Sequence, residues 1–219
     1  MAFSHPVPEL HGQILDGRFG LALDEALESA YGEDIGRVTA RTDFETFEAQ
    51  YIELFEVGHK GRPVVPLCAG EYIDLLDGKP RPAFLLQYAR FYRHFGVRAR
   101  DAGEDNELPD HIACQLEFMA WLTHLEAEAL DHGKQASAYQ RAQRDFTVKL
   151  MTGFCHGMSR RLETQCQRRT CDPVFGALGA TLNHFVQRNR MELESVHGAV
   201  GTSDTAQATR APSAQNLWG

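Results

Sequence analysis

Apolar residues recur along most of this chain at the three- and four-residue spacing of a helix face, and nowhere with the sustained alternation of a half-buried strand. Between Thr42 and Gly58, Phe44, Phe47, Tyr51, Leu54 and Phe55 follow one stripe. Thr42 and Glu45 stand at the capping-box spacing, which satisfies the free amides of a first turn, and Gly58 suits the residue after the last. A second helix reads from Pro82 in its first turn to Gly96 just past its end, with Phe84, Leu85, Tyr88, Phe91, Tyr92 and Phe95 inward. A third starts with Asp110 as N-cap, continues through Ile112, Leu116, Met119, Leu122, Leu125 and Ala129, and ends near Gly133. Further helices fit 16–31, 135–165 and 173–196, the last with Asp172 as cap and Pro173 at its first turn. The pattern predicts an all-α fold: an N-terminal extension over 1–15, a single-domain helical bundle over 16–197, and a disordered tail over 198–219. That tail is small and polar, with almost no apolar anchor before Leu217 and Trp218.

One stretch breaks the helical pattern. Residues 58–82 hold Pro63, Pro66, Pro80 and Pro82, four of the nine prolines, and cannot form one helix. A loop of that length inside a compact helical domain is more often functional than a mere connection.

Composition narrows the classes. The 219 residues are 43% apolar, enough for a real core, and no run approaches the roughly 18 apolar residues of a membrane span. The net charge of −8 argues against nucleic acid or an anionic membrane surface as partner and favours a cationic one. Charge is also segregated: residues 101–133 carry nine acidic and no basic side chains, whereas residues 134–219 carry 11 basic and six acidic. The opening segment lacks the basic and apolar regions of an export signal, so a soluble, cytoplasmic protein is expected. Cys68, Cys114, Cys155, Cys166 and Cys171 include no C-x-x-C pair, and reduced thiols are expected.

Catalytic chemistry finds little support. No phosphate loop, dinucleotide-binding glycine motif, nucleophile elbow or zincin motif is present. Glu117, His124, Glu128 and His132 lie close to one face of the third helix, and Glu56 with His59 and Glu194 with His197 have Glu-x-x-His spacing. Both pairs fall where helices should end, which weakens the metal reading; no metal ligands and no catalytic residues are assigned. Arg160, Arg161, Arg168 and Arg169 form a basic cluster with the chemistry to hold a phosphate, though an exposed charged helix end is the better reading.

Two stretches have a more specific look. The first is Tyr51 to Gly58 (YIELFEVG), followed by Gly61 to Tyr72 (GRPVVPLCAGEY). The second is Phe91 to Gly96 (FYRHFG), then Glu107 to Ile112 (ELPDHI) and Gln115 to Met119 (QLEFM). In this order and spacing they resemble the TorD-like redox-enzyme maturation chaperones (NarJ/DmsD-like), especially the branch serving type II DMSO-reductase-family molybdoenzymes. The resemblance covers roughly residues 44–130. Gln115 stands where that family usually carries Glu, and Cys68 where a bulky aromatic is commoner.

The resemblance implies a cytoplasmic, non-enzymatic chaperone of all-helical fold. Its partner would be an apo-molybdoenzyme catalytic subunit and that subunit's twin-arginine signal peptide, held from export while the molybdopterin cofactor is inserted. No cofactor is expected to stay bound, with at most transient contact with molybdopterin or a nucleotide. It also implies that Pro63, Pro66, Leu67 and Tyr72 of the loop, with Asp110 and His111, line the signal-binding region. Physical chemistry is compatible: two guanidinium groups followed by an apolar stretch call for carboxylates beside a hydrophobic groove. Residues 101–110 (DAGEDNELPD) supply five acids there. Two other readings stay open from the residues alone: a metal-carboxylate enzyme on Glu117, His124 and Glu128, and an adaptor for a folded partner.

Overall fold

The computed structural model describes residues 3, 5–31, 39–58, 61–97, 108–168 and 171–200. These fold into helices α1 (Pro8–Leu15), α2 (Arg18–Tyr31), α3 (Phe44–Tyr51), α4 (Arg81–His94), α5 (Ile112–Asp131), α6 (Ser137–Phe146), α7 (Thr152–Arg168) and α8 (Pro173–His197). Among the described residues, β pairing is limited to two isolated bridges, Gly58 with Arg62 and Cys68 with His111. No described helix is long and apolar enough to cross a membrane. The acidic residues at 101–107, His59, Arg169 and the tail from 201 lie outside the described residues.

Local chemistry sets the helix ends. Asp172 caps α8 as expected, accepting from Val174 N–H at 3.1 Å. Its other carboxylate oxygen accepts from Arg41 N–H at 2.6 Å and from the Thr42 N–H and hydroxyl, each at 2.9 Å. That tertiary recruitment explains a shift at α3: with Thr42 engaged by Asp172, the N-cap is Asp43, which accepts from Thr46 N–H at 2.9 Å. Gly58 stops the helical path after α3, where Ile52–Glu56 widen into a π turn. Its φ is +52°, and a Cβ there would overlap the Arg62 carbonyl, so only glycine fits.

Two segments differ from the sequence expectation. The extension over 1–15 contains α1, and Phe3, His11 and Ile14 are buried. Tyr51 OH donates to the Phe3 carbonyl at 3.1 Å, and His11 Nε2 lies 2.9 Å from the Thr42 carbonyl. The helix expected over 135–165 is α6 and α7 joined through a π turn, Thr147–Met151. The turn loosens the regular ladder, and the Thr152 hydroxyl donates to the Thr147 carbonyl at 2.9 Å.

The core is one apolar cluster drawing on most of the helices. Tyr88 and Tyr92 of α4 and Phe118 of α5 surround Phe146 at the end of α6, with ring centroids 4.8–6.1 Å from it. Phe47 of α3 stacks on Phe175 of α8 at 4.6 Å. These rings hold α4 and α5 against the end of α6, and α3 against α8.

The thiol expectation needs correction at one place: Cys166, near the end of α7, is disulfide-bonded to Cys171. The bond joins two cysteines whose spacing matches no familiar motif. Cys68, Cys114 and Cys155 are not disulfide-bonded.

Candidate functional site

Residues 61–80 form an ordered loop despite their prolines. Val65 is fully buried, and its N–H donates to the Leu54 carbonyl at 2.8 Å, pinning the loop to the end of α3. Two 3₁₀ turns follow, Ala69–Glu71 and Ile73–Leu76. The Tyr72 hydroxyl donates back to the Pro66 carbonyl at 3.1 Å. The Tyr72 ring meets Phe154 of α7 edge-on at 5.2 Å, and Arg161 of α7 lies 4.0 Å from the ring centroid in a cation–π contact. Gly153 and Gly157 permit this docking. A Cβ at Gly157 would stand 3.2 Å from Tyr72, and one at Gly153 would stand 2.9 Å from Leu75.

The start of α5 grips the same loop from the other side. Ile112 N–H donates to the Leu67 carbonyl at 2.9 Å, Ala69 N–H to the Asp110 carbonyl at 3.2 Å, and Gly70 N–H to Asp110 Oδ2 at 2.6 Å. Gln115 Nε2 donates to the Asp110 carbonyl at 2.7 Å, and Tyr92 OH to the Pro109 carbonyl at 2.6 Å.

Asp110 is therefore not the cap of α5. His111 is: its backbone is extended and its Nδ1 accepts from Ala113 N–H at 3.2 Å. Asp110 is fully buried beneath the loop, and burial pushes its carboxyl pKa up, against the opposing pull of the Gly70 N–H, its own backbone, Arg81 and His111. Burial and the Asp110 charge push the Cys68 thiol up to about 12. Asp110 Oδ1, Gln115 Oε1 and Arg81 Nε are buried with no hydrogen-bond partner among the described residues. A buried polar atom left without a partner costs about 1–3 kcal/mol, more when charged. The seam between loop and α5 thus carries unused hydrogen-bonding capacity.

The structure brings Pro66, Leu67, Tyr72, Asp110 and His111 into one assembly. Pro63 lies at its far end, next to the Gly58–Arg62 bridge. Pro66, Leu67, Tyr72 and Asp110 are buried, while Pro63 and His111 are half-buried. They shape the region and leave little of themselves on its surface. Arg81, Arg161 and Gln115 complete it. No local spacing points to Arg81; Arg161, read from sequence as part of an exposed helix end, is half-buried within α7 against Tyr72. Among the described residues no group of three or more His, Cys, Asp or Glu is arranged to hold a metal ion. Glu117, His124, Glu128 and His132 are exposed along α5.

The family model described as nitrate reductase delta subunit matches residues 21–159. The dimethyl sulfide dehydrogenase assembly chaperone protein of Rhodovulum sulfidophilum is 38% identical over 227 aligned positions, covering 100% of this chain and 88% of that protein. The chlorate reductase assembly chaperone protein of Ideonella dechloratans is 33% identical, covering 68% of this chain and 71% of its own. The selenate reductase assembly chaperone protein of Thauera selenatis is 32% identical, covering 72% and 76%. No solved structure gives a significant match. With the matched region running from α2 into α7 and including the proline-rich loop, the chain belongs to the nitrate reductase delta subunit family of assembly chaperones.

Proposed function

We propose that this protein is a cytoplasmic assembly chaperone for a molybdopterin-containing oxidoreductase. It binds the apo catalytic subunit through that subunit's twin-arginine signal peptide and holds it until the cofactor is inserted. Any contact with molybdopterin or a nucleotide is transient. The observation that carries the reading is the similarity along the whole chain to an assembly chaperone, with its loop docked on the start of α5.

The signal-binding region is built on Pro63, Pro66, Leu67, Tyr72, Asp110 and His111. The prolines and the hydrogen bonds to Asp110 hold the loop in one shape before a peptide arrives, which lowers the ordering entropy lost on binding. Unused acceptors on Asp110 and Gln115 suit a guanidinium, and the acids at 101, 104, 105 and 107 add long-range attraction. Titrating the full chain with a synthetic twin-arginine signal peptide tests this. Binding should be stoichiometric, weaken as salt rises, and drop sharply when both arginines are lysine. Equal binding of the lysine peptide would overturn the reading.

A further inference from the structure

Arg81, the first residue of α4, reaches back over the loop. One terminal nitrogen pairs with Glu71 Oε1, while its Nε is buried with no hydrogen-bond partner among the described residues. Asp110 Oδ1 and Gln115 Oε1 are in the same condition. Arg81 and Asp110 meet at Gly70: a Cβ built there would stand 3.0 Å from Asp110 Oδ2 and 3.1 Å from Arg81 Nε. A guanidinium thus sits beside a carboxylate whose free oxygen it does not engage. Asp110 Oδ1 lacks a donor, and the guanidinium beside that carboxylate has a donor to spare. A better-aligned guanidinium, with five N–H donors in a planar fork, would supply the donor that Asp110 Oδ1 lacks.

We propose that Arg81 is an internal stand-in for a client arginine. In the free protein it and Glu71 stand beside the Asp110 carboxylate, and an arginine of the incoming peptide displaces Arg81 and takes the free Asp110 oxygen. The inference rests on the functional reading above and adds an autoinhibitory contact to it. The ion pair is the weakest part of the site: the Arg81 and Glu71 side chains are 39% and 44% exposed, where ion pairs are screened by water. Asp110 Oδ2 keeps its bond to Gly70 N–H throughout, so the loop stays anchored while Oδ1 gains its donor.

The test titrates the full chain and its variants with a synthetic peptide carrying Arg–Arg before an apolar run, and with its Lys–Lys counterpart. Arg81→Gln should bind the Arg–Arg peptide about five-fold or more tighter, because the competing state is lost. The Lys–Lys peptide should gain less than two-fold. Arg90→Gln, the same charge change at an exposed site about 13 Å along α4, should leave both within two-fold. In Arg81→Gln the Asp110 carboxyl, followed by NMR, should titrate at higher pH than in wild type. Arg81→Met keeps the packing of the stem and should repeat the gain if the Gln variant melts early.

Unchanged or weaker binding by a folded Arg81→Gln, an equal gain for Lys–Lys, or an unmoved Asp110 titration would overturn the proposal. So would loss of folding in both variants, which would make Arg81 structural. If wild type binds and the variant gains nothing, the stand-in fails and the functional reading survives. If no protein binds either peptide, both fail.

Discussion

Asp110 occupies the position where a sequence reading places an exposed, arginine-reading carboxylate, and the fold buries it. The consequence is a pH dependence of definite sign. With its folded pKa raised above the ordinary carboxylate value, the folded state binds more protons than the unfolded one in the interval between the two values. Ionisation of Asp110 therefore erodes stability as pH rises through that interval. Asp110→Asn removes the effect and keeps an acceptor for Gly70 N–H. Melting curves of variant and wild type from pH 4 to 7.5 should show a difference that moves in favour of the variant as pH rises. A difference flat in pH would contradict the burial argument. His5 behaves oppositely. Its ring lies 2.7 Å from Glu56 and 3.1 Å from Glu48, and these bonds raise its pKa above 6.5. The clamp on the N-terminal segment is then fully present below 6.5 and lost as pH rises through the folded value. His5→Gln should lower the melting temperature at pH 6 and leave it unchanged at pH 9; an equal effect at both would refute the clamp.

At the scale of elements, the sequence located most helices, and its misses have a common cause. Pro173, Gly96, Gly133 and the capping oxygen of Asp172 act through their immediate neighbours, so their positions were legible. Thr42 and Asp110 failed as caps because partners far along the chain recruit them, Thr42 by Asp172 and Asp110 by Gly70. Helix α1 was missed because it is short and its buried residues belong to a core assembled from distant segments. Arg81 was invisible as a site residue for the same reason, and the basic cluster holding Arg161 gave no sign of its contact with Tyr72. Two substitutions measure these long-range ties. Asp172→Ala removes the α8 cap and the acceptor for Arg41 and Thr42, and should cost about 3 kcal/mol in urea denaturation. A loss below about 1 kcal/mol would show that water replaces the carboxylate. Gly58→Ala places a side chain at positive φ against the Arg62 carbonyl and should cost more than about 2 kcal/mol. Near-normal stability would mean that the loop relaxes away from α3.

For the whole molecule, an acidic chain carries a proline-rich loop gripped between the start of α5 and the glycine-bearing face of α7. The core aromatics fix the helices around that loop, and the buried polar seam is the feature that the proposed function assigns to a cationic client. The most direct measurement of the central claim is to locate a bound signal peptide. A twin-arginine peptide with a photo-crosslinker beside the arginine pair should label residues 63–76 and 108–115 of the full chain, and unlabelled Arg–Arg peptide should suppress that labelling far better than Lys–Lys peptide. Labelling confined to α6 and α8, or equal suppression by both competitors, would contradict the assignment of the loop and the α5 start as the signal-reading surface.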